Sequence, residues 1–240
     1  MADYGANHKA GERMVKTVDG VEYAFRWCPA GKFLMGSPKS EEGRYNDEDP
    51  WHEVTLTKGF WMLETQVTQA MWQRVMGENP SRFRGDDLPV ECVSWNDCQG
   101  FCCRLSDKIG MQISLPTEAQ WEYACRAGTA TPYAGNSLEE MGWYVENSNG
   151  ETHSVGQKKA NAWGLYDMHG NVWEWCQDWF GNYPSGSVTD PTGPKSGRYR
   201  VYRGSSWCND AQDCRSASRY RYTANLREYY VGFRLAGSDK

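Results

Sequence analysis

Hydrophobic positions along the chain follow two different periods. From Val21 the text VEYAFRWCPAGKFLMGS is strand-like, and Pro29 with Gly31 predicts a hairpin turn between two strands. After a charged loop at 38–50, the stretch HEVTLTKGFWMLETQVT alternates with period two and predicts a second strand pair. The pattern then becomes helical. Thr68 is placed to cap TQAMWQRVMG, which stops at Gly77. Ser94 is placed to cap SWNDCQGFCCRLSDKIG, whose Cys98, Phe101, Cys102 and Leu105 share one face. Thr117 is placed to cap a third helix in LPTEAQWEYACRAG, with Gly128 as its stop. Residues 1–20 are expected to be peripheral or disordered, leaving one domain over 21–240. A few helices inside a turn-rich background, with strands at both ends, predict an α+β fold. The 25 glycines and 10 prolines predict little regular secondary structure.

Composition narrows the function classes. At 240 residues the chain is long enough to bury a core, and 12 tryptophans and 14 tyrosines would build much of it. A net charge of −5 with no Lys/Arg block argues against nucleic acid. No apolar run reaches the roughly 18 residues of a membrane span. The first twenty residues lack the apolar core of a signal peptide, so any export segment lies outside this chain. Nine cysteines form no CxxC pair, and the four histidines are scattered, which disfavours a closed zinc site. An odd cysteine count also argues against a complete disulfide framework, and most are expected to pack as small buried hydrophobes.

Several phrases then stand in a fixed order: GKFLMGS (31–37), ETQVTQAMW (64–72), PVECVSWNDCQGFCCRL (89–105), LPTEAQWEYACRAG (115–128), NAWGLYDMHGNVWEWCQDW (161–179), RVYRGSSW (200–207), RSASR (215–219) and VGFRLA (231–236). Together they resemble the formylglycine-generating-enzyme, or sulfatase-modifying factor, domain family over residues 21–236. The resemblance implies a C-type-lectin-like fold with a small antiparallel sheet, flanking helices and long ordered loops.

Within that family three readings need different residues. The formylglycine-generating oxidases carry a C-x4-C pair that binds copper, a chemistry suited to soft thiolate ligands. Here Cys208 follows Trp207 directly and five residues separate it from Cys214, so the thiols are present but out of register. The iron-dependent sulfoxide synthases need a histidine cluster, which is absent. The variable proteins of diversity-generating retroelements carry a frame resembling R-V-x-R-G-x-S-W, then C-R-S-A-x-R, then R-x-x-x-x-G-F-R. This chain supplies every part, from Arg200 to Arg234, and the segment as a whole is most similar to the Treponema member of that class.

In that branch, adenine-directed mutagenesis of AAY codons changes the residues between the frame. A pyrimidine third base reaches Asn, Asp, Ser, Thr, Tyr, Cys, Leu and similar residues, but not Lys, Glu, Gln, Trp or Met. Ser205, Cys208, Asn209, Asp210, Asp213, Ser218, Tyr220, Tyr222, Thr223, Asn225, Leu226, Tyr229 and Tyr230 all belong to the reachable set. A generic loop favours the same residues, so the match is an expectation. Tyrosine offers a large, rigid contact face at small entropic cost, the alphabet of paratopes. The frame arginines Arg203, Arg215, Arg219 and Arg234 can fork-bond carboxylates and carbonyls, pinning the loops.

These readings combine into one expectation. The chain is a non-enzymatic, ligand-binding display protein whose segment 200–236 forms a solvent-exposed site, with the copper-dependent oxidase using Cys208 and Cys214 as the alternative. The resemblance implies a bacterial surface lipoprotein, touching the membrane only through a lipid anchor outside this chain. The expected partner is an unidentified protein or surface ligand, not nucleic acid, and a monomer is expected. No cofactor is required. The resemblance further implies a calcium loop in DMHGNVWEW, with the Asp167 side chain, the Gly170 and Val172 carbonyls and the Glu174 carboxylate as ligands. An ion-free, hydrogen-bonded turn is the alternative. Glu118 and Glu122 are expected to cap a helix or pair with arginines rather than to act as acid and base.

Overall fold

A computed structural model describes residues 8–238. The strands in chain order are β1 (Arg13–Val18), β2 (Val21–Cys28), β3 (Gly31–Met35), β4 (His52–Leu56), β5 (Phe60–Leu63), β6 (Gln112–Ser114), β7 (Trp173–Trp179), β8 (Val188–Thr189), β9 (Arg200–Arg203), β10 (Arg219–Tyr222), β11 (Val231–Phe233) and β12 (Ala236–Ser238). The helices are α1 (Gln69–Met76), α2 (Trp95–Ile109), α3 (Glu118–Arg126) and the short α4 (Leu138–Met141).

The first three helices start where their caps predict. The side chains of Thr68, Ser94 and Thr117 accept from Met71, Asp97 and Gln120 N–H groups, each satisfying a donor the helix itself leaves open. Gly77 ends α1 and Gly110 ends α2 in left-handed conformation, while α3 ends one residue before Gly128, on Ala127. Cys98, Phe101, Cys102 and Leu105 are all buried on one face of α2.

Three small sheets make the rest. The first runs β1-β2-β5-β12-β6, the second β10-β9-β7-β11 and the third β3-β4-β8. Neighbours are antiparallel except β11 with β7 and β4 with β8. One core lies among the first two sheets, α1 and α2, around Phe25, Leu63, Trp72, Phe101, Trp175 and Phe233. The other gathers Met35, Phe60, Trp121, Leu165 and Val201 about α3.

Three expectations are corrected. The strands predicted on either side of Pro29 and Gly31 exist, but β2 and β3 belong to different sheets, so the turn is a corner rather than a hairpin. The same holds for β4 and β5. The segment expected to be peripheral contributes β1, paired antiparallel with β2 from Arg13↔Arg26 to Val18↔Val21. Asp19 and Gly20 join those strands with φ of 50° and 82°, the twist a two-residue hairpin loop needs. Residues 1–7 of that segment lie outside the described residues.

All nine cysteines are free, and six of them are buried as expected of small hydrophobes. No described helix is long and apolar enough to cross a membrane.

Candidate functional site

The segment 200–236 supplies β9, β10 and β11 of the second sheet, and buried arginines hold it there. Arg203, at the end of β9, donates to Glu118 (2.8 Å), Glu122 (2.6 Å) and the Ser216 carbonyl (2.6 Å). Arg219, the first residue of β10, forks onto both oxygens of Glu118 at 2.8 and 2.7 Å. Arg215 forks onto Glu48 at 2.8 and 2.6 Å and reaches Glu41 at 2.8 Å. Arg234 forks onto Glu174 at 3.0 and 2.9 Å and donates to the Leu63, Glu64 and Tyr166 carbonyls. These guanidinium forks satisfy buried carboxylates and loop carbonyls together, which fixes irregular backbone where no ladder can. Glu118 and Glu122 are thus structural partners: the arginines hold Glu118 below the usual carboxylate range against the opposing effect of its burial.

Beyond Arg219 the chain turns outward. In β10, Arg219 is buried while Tyr220, Arg221 and Tyr222 are exposed. Beside them opens a concavity of about 1050 Å³. Its floor is aromatic: Trp173 meets Tyr202 edge-on at 5.0 Å, and Tyr220 lies over both at 6.0 and 5.6 Å. Tyr222, Thr223 and Tyr230 continue this wall. The opposite wall is a polar chain. The Trp173 indole donates to Asn209 at 2.9 Å, Asn209 donates to Asp213 at 3.2 Å, and the Tyr45 hydroxyl donates to Asp213 at 2.8 Å. Partial burial and the Asp213 carboxylate push Tyr45 up to about 12, and burial pushes Tyr230 up to about 12. Both phenols therefore stay neutral, able to donate and to accept.

The thirteen expected positions divide. Cys208, Asn209, Asp213, Tyr220, Tyr222, Thr223 and Tyr230 line the concavity. Asp210 and Asn225 are exposed outside it, and Asn225 accepts from Asn96 at 2.7 Å. Leu226 packs against the first core. Tyr229 is half-buried between Trp207, at 5.8 Å, and the Arg82 guanidinium, at 4.6 Å. Ser205 and Ser218 are buried, so neither can touch a ligand from solvent. Ser205 sits at φ 67° inside the turn after β9, and Ser218 precedes the buried Arg219. Sequence reasoning missed Tyr45, Asn46 and Asp47 of the charged loop, and also Trp173, Arg198, Tyr199, Tyr202 and Arg221. The first three come from more than 160 residues away, with no local signal.

The two thiols of the alternative reading have unlike surroundings. Cys208 is half-buried on the concavity, 3.4 Å from the Ser206 hydroxyl. Cys214 is buried, with its sulfur 3.8 Å from the Asp210 carbonyl, and burial pushes its thiol up to about 12. Nearby, buried His169 has one nitrogen 2.8 Å from the Cys214 carbonyl and the other accepting from Ala134 N–H at 3.1 Å. That pair of bonds places the proton on Nδ1.

The loop expected to hold calcium converges on a side chain. The Asp167, Gly170 and Val172 carbonyls and a Glu174 oxygen all face the amide nitrogen of Gln66, at 3.3, 3.1, 3.0 and 3.0 Å. It is the Asp167 carbonyl, not its carboxylate, that joins this set. The carboxylate accepts from Gly156 N–H at 2.8 Å, and burial raises it to about 6.

Comparisons with known proteins agree with this architecture. Formylglycine-generating enzyme of Mus musculus is 33% identical over 206 residues, covering 77% of this chain and 53% of the enzyme. The chain thus spans about half that enzyme's length. The structure of Treponema denticola variable protein 1 superposes with a TM-score of 0.86 at 32% identity, covering 93% of this chain and 98% of that one. PvdO from Pseudomonas aeruginosa superposes with a TM-score of 0.86 at 30% identity, covering 96% and 99%. The expected α+β, C-type-lectin-like fold is therefore the one observed. Residues 15–238 match the Sulfatase-modifying factor enzyme 1-like domain, and the chain belongs to that family.

Proposed function

We propose that this protein is a non-enzymatic binding protein whose segment 200–236 displays an exposed, exchangeable ligand site. The observation that carries this reading is the division of roles in β10. Arg219 is buried in a fork with Glu118, while its neighbour Tyr220 is 56% exposed over the concavity. One anchored side chain is followed by three exposed ones, so the surface can change while the anchor stays. The likeness to Treponema denticola variable protein 1 over nearly its whole length supports the same reading. A retroelement as the source of diversity, and a lipid-anchored place on a bacterial surface, belong to this proposal. So does a protein or surface ligand as partner.

The competing reading is an oxidase using Cys208 and Cys214, favoured by the likeness to formylglycine-generating enzyme. Two measurements separate them. The purified chain is titrated with Cu(I) and offered a cysteine-containing peptide under oxygen. The display reading expects no stoichiometric copper binding and no peptide oxidation; either one sinks it. The gene's neighbourhood is also searched for a near-identical repeat that differs only at adenines. Finding neither the repeat nor a reverse transcriptase counts against retroelement diversification.

A further inference from the structure

Gln66 lies between β5 and the cap of α1, and its side chain is fully buried. Its amide nitrogen is ringed by four oxygens at 3.0–3.3 Å, all more than 100 residues along the chain. An amide has two N–H groups, so each must be shared between acceptors. The orientation is dictated by the cage, since exchanging oxygen and nitrogen would set one oxygen against four others.

A calcium ion lies about 2.3–2.6 Å from its oxygens. The oxygens here stand at hydrogen-bond distance from an atom that already occupies their centre. Charge argues the same way. Both Glu174 oxygens are engaged by Arg234, and the second also accepts from the Trp121 indole at 2.6 Å. The remaining acidic group, Asp167, directs one oxygen to Gly156 N–H, while its other oxygen and the Gln66 carbonyl oxygen are buried without a hydrogen-bond partner. The loop's shape also has a cause other than an ion. Gly170 holds φ at 134°, and a Cβ there would strike the Trp143 carbonyl.

We propose that the Gln66 carboxamide is the built-in occupant of this oxygen cage, standing where the family resemblance implies calcium, so that the loop 167–174 is held without metal. A donor supplied by the chain itself cannot be removed by chelation. It also makes the cage convertible. Gln66→Asp withdraws the side chain by one carbon and replaces the donor with a carboxylate, leaving room for a cation among five oxygen donors.

The test uses the full chain, with calcium as the probe. Heats of calcium titration and thermal unfolding are measured after EDTA treatment and in calcium-containing buffer. The native chain is expected to bind no calcium and to unfold at the same temperature in both conditions. Gln66→Asp is expected to unfold lower than the native chain in EDTA and to recover several degrees on adding calcium, with one ion bound. A native chain that binds one calcium and loses several degrees in EDTA overturns the proposal. So does a folded Gln66→Asp chain with no affinity for calcium. If that variant does not fold, the native measurements alone decide.

Discussion

Arg219 and Tyr220 are adjacent in sequence and opposite in duty, and substitution separates those duties. Arg203 is fully buried, and its guanidinium serves two carboxylates, Glu118 and Glu122. Removing one partner of such a group strands a buried charge, so Arg203→Ala is expected to lose about 3–5 kcal/mol of unfolding free energy in urea titration. Tyr220→Ser removes an exposed side chain and is expected to stay within about 0.5 kcal/mol in the same assay. Comparable losses from the two substitutions would contradict the division into frame and surface. His169 makes a second, pH-dependent prediction. Burial lowers its pKa from 6.5 to about 4, so the folded chain holds the neutral ring while the unfolded chain takes up a proton below about 6.5. The stability it contributes is therefore full above pH 6.5 and is lost as pH falls toward 4. Urea titrations of the native chain and of His169→Gln are expected to diverge most at neutral pH and to converge through that window. Parallel curves would refute the assignment.

Between β9 and the rest of its phrase, Gly204 shows why the frame tolerates so little change. It adopts φ 93°, and a Cβ would lie 2.8 Å from the Trp121 ring. Gly204→Ala is expected to cost at least about 1–3 kcal/mol through backbone strain, with the ring displaced in addition, measurable as a lower urea midpoint. Elements differed in how far the sequence revealed them, and the difference is physical. Helices α1, α2 and α3 were legible because caps and apolar period are local. Strands β2 to β5 were legible as strands, but their partners were not, because pairing across sheets depends on a corner at 29–31 that local pattern cannot orient. Strand β1 escaped because an edge strand with a mostly exposed face reads as a polar tail, although Asp19-Gly20 carried the hairpin signal. The outward-facing tyrosines were legible only through the family frame. Their aromatic floor, Trp173 and Tyr202, was hidden among residues expected to be core, and both are indeed nearly buried. Gln66 gave no signal, since what it serves is assembled from a distant loop.

For the molecule as a whole, the binding proposal implies that surface and stability are separable. A library at Tyr220, Tyr222, Thr223 and Tyr230 is expected to yield members that unfold within a few degrees of the native chain yet differ in the ligands they retain on selection. A library that mostly fails to fold would place these tyrosines in the scaffold instead. Asn209 and Asp213 are less free, because Asn209 satisfies the buried Trp173 indole. The sheet order β1-β2-β5-β12-β6 has one more consequence. The slot between β5 and β6 is filled by Ala236–Ser238, the last described element, and β11 beside β7 comes just before it. A chain cut short anywhere within 200–230 lacks β12, which joins β5 to β6, and β11, which flanks β7. If the binding proposal holds, translation must pass through the whole exchangeable segment before the two sheets can be completed. On that proposal the architecture acts as a proofreader of reading frame: a stop or frameshift in the segment is betrayed by failure to fold, while an exchange at an outward-facing position such as Tyr220 or Tyr222 is not.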